Sequence, residues 1–169
     1  MPRRGRGRKK SRTHADETAS SALSHEKIPT SLVIRRGKTS AELAELITDV
    51  RRMMQPFTAL HFQEDPKNRK LTISQYATNL ALPMGISHML VFRQNDNRCH
   101  LRLARLPAGP VLSFRVHQFS LSRHIQNTQR RPVSWTAGLS SQPPVVVTNN
   151  FGDESSPHIK LLRITFQNL

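Results

Sequence analysis

Apolar side chains first follow a helical rhythm between residues 43 and 54. They recur every three or four residues, at Leu43, Leu46, Ile47, Val50, Met53 and Met54. Thr39 precedes Glu42 by three residues, which is the spacing of a capping box, and Pro56 follows the last apolar position. The pattern therefore predicts a helix that begins after Thr39 and ends before Pro56.

Two further elements flank this helix. The β-branched run at 31–35 predicts a first strand, and the Arg-Gly-Lys sequence at 36–38 predicts the turn that follows it. A second, shorter helix is marked by Ile73, Tyr76, Ala77 and Leu80, and is closed by Pro83 and Gly85.

Three more strands are predicted at 88–93, 99–105 and 111–119. Polar and proline-containing turns separate them, at 95–97 and 107–110. Alternation along the last two strands places one set of side chains on a common face: Leu101, Leu103, Leu112, Phe114 and Val116. Arg102 and Arg115 alternate with them and belong to the opposite face. The pattern therefore predicts a sheet with arginines on one side.

The remaining segments suggest an α/β domain of two similar halves. Residues 126–143 are polar and are expected to form a linker or surface loop. The run at 144–148 predicts a buried strand, and the apolar positions of 158–168 predict a helix. We therefore expect a first half at 28–125 and the start of a second, truncated half at 144–169. Residues 1–27 lack apolar periodicity and are expected to be a disordered basic tail.

Composition limits the class of protein. The chain has 169 residues and is 36% hydrophobic, enough for one domain with a modest core and a tail. Cys99 is the one cysteine, so no internal disulfide can form. The longest clean apolar runs, 89–92 and 145–147, are too short to span a membrane. We expect no membrane partner.

The charge is strongly localised. The formal net charge is +15, and the stretches 1–12 and 93–131 carry most of it. The first has no acid and includes Arg3, Arg4, Arg6, Arg8, Lys9 and Lys10; the second has eight arginines against Asp96 alone. Such clusters favour a polyanionic partner, nucleic acid first, because basic side chains on phosphates release condensed counterions. Taken alone, the tail fits a nuclear import signal and a solvated flexible segment equally well.

No enzyme, metal or cofactor chemistry is indicated. The Gly-Lys-Thr sequence at 37–39 is like the end of a phosphate-binding P-loop, but Leu32 stands where the first glycine is required. The eight histidines show no short ligand spacing, and the eleven acids form no evident catalytic pair. We therefore predict a non-enzymatic protein without a cofactor.

Several motifs, in order, resemble the Brix-domain ribosome-assembly proteins, most closely the Peter Pan group. They are Ile-Pro-Thr-Ser-Leu-Val-Ile at 28–34, Asp-Val-Arg-Arg-Met-Met at 49–54, Leu-Pro-Met-Gly-Ile-Ser-His at 82–88 and Leu-Arg-Leu-Ala-Arg-Leu-Pro at 101–107. Gly-Pro at 109–110, with the apolar positions through 121, is similar to the family's sigma-like motif. Asn-Asn-Phe at 149–151 and Thr-Phe-Gln-Asn at 165–168 are similar to its central segment.

The resemblance implies a fold, a function and partners. The fold is an α/β Brix domain related to the anticodon-binding fold. The function is non-catalytic: binding of precursor ribosomal RNA during assembly of the large subunit in the nucleolus. The partners are that RNA, ribosomal proteins and other assembly factors, including a dedicated heterodimer partner.

The candidate phosphate contacts in the folded part are arginines: Arg51, Arg52, Arg102, Arg105, Arg115 and Arg123. Two alternatives stay open. The interleaved arginines fit a solvated strand face as well as a phosphate-binding one, and Arg51 and Arg52 can face either RNA or protein. A protein-docking scaffold that contacts RNA mainly through the tail is the second functional hypothesis.

Overall fold

The computed structural model describes residues 29–96, 98–134, 137–151 and 156–169. The predicted basic tail lies outside these ranges, and with it the candidate contacts Arg3, Arg4, Arg6, Arg8, Lys9 and Lys10. The described ranges cover the positions of all the strands and helices that were predicted from residue 31 onward.

Four strands form one sheet in chain order: β1 (Ser31–Arg36), β2 (His88–Asn95), β3 (Arg98–Arg105) and β4 (Val111–Val116). β1 runs parallel to β2, and the other neighbours are antiparallel. The four predicted strands are confirmed, although β4 ends at Val116 instead of residue 119. The mixed α/β class is confirmed with them.

The helix α1 (Ala41–Met53) follows β1, as the apolar stripe predicted. Its cap is one residue later than predicted. The side chain of Ser40, and not of Thr39, accepts from the backbone N–H of Leu43 at 3.3 Å. The Thr39 hydroxyl is buried without a hydrogen-bond partner in the described structure, so the predicted capping box with Glu42 is wrong.

The second helical segment is more irregular than its apolar spacing suggested. A 3-10 helix (Pro66–Lys70) leads into α2 (Ile73–Tyr76), which Thr72 and Gln75 cap reciprocally. The chain then continues as a π-helical turn over Ala77–Ala81 and leaves it through Gly85, whose φ of +71° favours glycine.

Within the described ranges, three helices follow the sheet: α3 (Ser122–Thr128), α4 (Ala137–Ser140) and α5 (Pro157–Gln167). The helix predicted at 158–168 is confirmed, whereas α3 was not predicted. The buried strand predicted at 144–148 is wrong: Val145 and Val147 are 87% and 84% exposed. β-branched residues form a strand only beside a partner with free backbone groups, and no described strand pairs with this run. None of the helices in the described part of the chain is long and apolar enough to cross a membrane.

The sheet has a core on each side. On one side, called the α2 face, Leu32, Met89 and Ala104 pack with Tyr76 and the π-helical turn. On the other, called the α1 face, the sheet residues Val33, Leu90, Phe92 and Leu103 pack against Leu43 and Ile47 of α1. The C-terminal helix also covers the α1 face, where the rings of Phe114 and Phe166 lie 6.0 Å apart. The α1 face is therefore covered by two helices, and the α2 face by one short helical segment.

Candidate nucleic-acid interface

Strand register places a group of arginines on the uncovered part of the α2 face. Arg102 pairs with Ser113, and His100 lies between Arg93 and Arg115 in the neighbouring row. Side chains at alternate positions of a strand share a face, so Arg98 joins Arg102 on this side. The group is called the open arginine face and consists of Arg93, Arg98, Arg102 and Arg115, all of them exposed.

The open arginine face lacks neutralising partners within the described ranges. None of its four guanidinium groups lies within 4.0 Å of a described carboxylate. Arg93 Nε donates a hydrogen bond to Asn95 Oδ1, at 3.0 Å. Arg102 is diagonal to Arg93 and to Arg115 in the strand register, at a separation of ~7–8 Å, and like charges at this distance repel. An anion bound over the face would relieve that repulsion.

Arg36, the last residue of β1, pairs with Arg93 in the strand register and has a structural role. It donates to the carbonyl oxygens of Asn68 and Arg69 at 3.1 and 2.7 Å. Its guanidinium also lies 3.6 Å from the Glu64 carboxylate and 4.7 Å from the ring centroid of Tyr76. Burial, and then the charge of Glu64, raises the pKa of Tyr76 to about 12. Arg36 therefore fastens the 3-10 segment beside the sheet.

Arg51, a sequence candidate for RNA contact, has a structural role instead. Its Nε and Nη2 both donate to the carbonyl oxygen of Val33, and its Nη1 donates to that of Leu60. Burial is the main cause that lowers the pKa of Arg51, followed by the charge of Arg35. These bonds use the guanidinium edges that a phosphate would need, and they argue against Arg51 as a phosphate contact.

The other three candidates lie apart from the open arginine face. Alternation places Arg105 on the α1 face, opposite His88 in the strand register. Arg52 lies on α1 with its guanidinium 3.7 Å from Asp49, and Arg123 lies on α3, 3.3 Å from Glu45. Of the six folded candidates, Arg102 and Arg115 lie on the open arginine face.

Two members of that surface were not selected from the sequence. Arg98 lies four residues before Arg102 on the same strand, so the alternation already visible in the sequence would have found it. Arg93 lies on β2, and its place on this face depends on the pairing of β2 with β3, which no local pattern specifies.

His88 is a buried titratable group near the edge of the α1 face. Ser87 Oγ accepts from the Thr30 N–H and lies 2.9 Å from both the Thr30 carbonyl oxygen and His88 Nδ1, so its single proton can be donated to either. His88 Nε2 is buried without a hydrogen-bond partner in the described structure. Burial and the nearby Arg105 charge lower the pKa of this imidazole. Among the described residues, no group of three potential metal ligands occurs.

Comparison with known proteins identifies the family of this chain and several similar proteins. Residues 36–169 match the Brix domain model. A Brix domain-containing protein of Schizosaccharomyces pombe is 40% identical over 98% of this chain, and a Peter Pan-like protein of Arabidopsis thaliana is 37% identical over 88%. Ribosome biogenesis protein SSF1 of Saccharomyces cerevisiae is 35% identical over 85%.

These relatives are considerably longer than the chain. The matches cover 42%, 41% and 31% of the three proteins, respectively. The family match itself begins at the last residue of β1 and extends over β2, β3, β4 and the helices on both sides of the sheet, and it includes every member of the open arginine face. The chain belongs to the Brix domain family.

Proposed function

We propose that this chain is the RNA-binding part of a non-catalytic assembly factor for the large ribosomal subunit. It acts on precursor ribosomal RNA in the nucleolus, with ribosomal proteins, other assembly factors and a dedicated heterodimer partner around it. Family membership supports the setting, since relatives include proteins named for ribosome biogenesis. The open arginine face supports the RNA contact.

The single observation that carries the RNA contact is the absence of described acids beside four exposed arginines. A face that serves only solubility normally mixes charges of both signs. Arg52 and Arg123 each have a carboxylate within 4.0 Å, and exposed arginines without one also occur elsewhere, as at Arg35 and Arg105. What distinguishes the open arginine face is that four such arginines lie on one side of neighbouring strands. The open arginine face has charges of one sign only, and phosphates are the anions that would neutralise these arginines.

The proposed contact is with the RNA backbone and its shape, with sequence a minor factor. The chain has one tryptophan and one tyrosine, and Tyr76 is fully buried. Stacking of successive bases on exposed aromatic rings is therefore a poor match to this surface. Arginines at fixed strand positions instead present positive charges at a defined spacing, which suits contact with the phosphates of an RNA of matching shape.

A protein-docking scaffold is the second candidate, and exposed apolar side chains favour it. Phe119, Ile125 and Val133 are 41%, 48% and 66% exposed in the segment that follows β4. In this alternative the folded part contacts other assembly factors, and RNA is held mainly by the basic tail, Arg3 to Lys10.

Photo-crosslinking of the full chain to ribosomal RNA, followed by peptide mapping, tests the proposal. Crosslinked peptides from β2, β3 and β4 are expected. Crosslinks confined to residues 1–27 would contradict RNA binding by the open arginine face and support the scaffold.

Deletion of residues 1–27 separates the two candidates independently. The proposal predicts weaker RNA binding by the deleted chain, with a measurable salt-dependent affinity remaining. Complete loss of RNA binding, with the fold intact by circular dichroism, would support the scaffold instead.

A further inference from the structure

A cleft of about 830 Å³ lies between the open arginine face and the segment of residues 69–74. Its volume falls in the ~300–1,000 Å³ range of sites that hold small ligands. The segment of residues 69–74 forms one wall of the cleft, and Arg36 holds the start of this segment through hydrogen bonds to the carbonyl oxygens of Asn68 and Arg69. The position of this wall is therefore set by the fold.

The chemistry of the lining differs between floor and rim. Leu71, Ile73 and Val91 supply apolar surface. None of the described residues that line the cleft is acidic. The rim carries cations and hydroxyls, from Arg36, Arg69, Arg93, Arg102, Thr72, Ser74 and Ser113.

Arg36 also lines the cleft, with a side chain that is 13% exposed. Its Nη1 donates to the carbonyl oxygens of Asn68 and Arg69, and its Nε and Nη2 are buried. The exposed arginines Arg69, Arg93 and Arg102 are therefore the lining cations that an anion in the cleft can reach.

We propose that this cleft receives one unpaired nucleotide of the bound RNA. The base lies against Leu71, Ile73 and Val91 and hydrogen-bonds the hydroxyl rim. Its phosphates face Arg69, Arg93 and Arg102. A nucleotide inside a continuous duplex keeps its base stacked and cannot enter, so the cleft selects RNA with a bulge, loop or single-stranded segment. This inference rests on the proposed function and names the class of RNA within it.

Two blunt-ended RNA hairpins, whose strands are joined by the same non-nucleotide linker so that neither contains an unpaired loop nucleotide, test the inference on the full chain at physiological salt. One has an uninterrupted stem, and the other carries a single unpaired uridine within it. Wild type is expected to bind the bulged hairpin about tenfold more tightly, equivalent to about 1.4 kcal/mol.

Ser113→Glu and Val111→Glu form a matched pair of variants. Both positions are exposed, lie on the same face of β4 and receive the same charge, but only Ser113 lines the cleft. Ser113→Glu is expected to abolish the preference for the bulged hairpin. Val111→Glu is expected to weaken binding of both hairpins by a similar small factor and leave the preference intact.

The outcomes separate this inference from the function on which it rests. Equal, salt-dependent binding of both hairpins by wild type would overturn the inference alone. The same conclusion would hold if Ser113→Glu and Val111→Glu had equal effects on the preference. Failure of wild type to bind either hairpin would overturn the proposed function and the inference together.

Discussion

Arg51 of α1 is hydrogen-bonded to the edge of β1: its Nε and Nη2 both donate to the carbonyl oxygen of Val33, at 3.0 and 2.8 Å. β1 is an outer strand of the sheet, so this carbonyl has no strand neighbour on that side. The third bond, to the Leu60 carbonyl at 3.2 Å, ties the following loop to the same guanidinium. One side chain thus joins strand, helix and loop and closes a sheet edge to other chains.

Replacement of Arg51 tests this structural role. Arg51→Gln removes donors from two carbonyl groups and is expected to lower the free energy of unfolding by about 1–3 kcal/mol. Arg52→Gln is the matched control, since Arg52 is exposed and its side chain has, among the described residues, only an ion pair with Asp49. An effect within about 0.5 kcal/mol is expected. Urea denaturation measures both. Similar effects of the two variants would contradict the assignment.

The pH dependence of stability should report on His88. Its folded-state pKa lies below that of the unfolded chain, so the unfolded state binds the proton more readily. The stabilising contribution is complete above the unfolded pKa of about 6.5 and is lost as the pH falls towards the folded pKa. We expect the free energy of unfolding to decrease between about pH 7 and pH 5.

His88→Gln is expected to flatten this decrease, whereas His117→Gln is expected to preserve it because His117 is exposed. Denaturant titrations at several pH values provide the measurement. A decrease of equal size in wild type and His88→Gln would show that other groups cause it.

Asp49 connects α1 to α3. Its Oδ2 accepts from the backbone N–H of Ser122 at 3.0 Å, at the first residue of α3, where Leu121 offers no side-chain cap. Asp49→Ala is expected to cost about 0.5–2 kcal/mol, the range for a lost helix cap. Hydrogen exchange should accelerate in residues 122–128 more than in the sheet. Uniform acceleration across sheet and α3 would contradict this local role.

Local sequence patterns predicted most of the helices and strands, but they predicted the roles of the individual arginines less well. The apolar stripe of α1 and the alternation in β3 and β4 are properties of neighbouring residues, so the sequence was sufficient for them. The exposed run at 144–148 has a strand composition, but a strand needs a partner that local sequence does not reveal.

The same limit explains the arginines. Arg102 and Arg115 share a face because both alternate with apolar residues, and that face was predicted correctly. Arg51 has the same side chain, but the free carbonyl of Val33 determines its role, and the two residues lie 18 positions apart. Tertiary contacts, which composition does not record, distinguish an arginine that bonds to the backbone of the fold from one that stays exposed.

The most direct test of the central claim is the salt dependence of RNA affinity in a pair of charge-reversed variants. Arg102→Glu with Arg115→Glu reverses two members of the open arginine face, and Arg52→Glu with Arg105→Glu reverses two exposed arginines elsewhere. The log-log slope for single-stranded RNA should fall by about 0.7 for each phosphate that is no longer neutralised, hence by about 1.4 in the first variant. In the control variant, the slope should stay close to that of wild type. Equal slopes in the two variants would contradict RNA binding by the open arginine face.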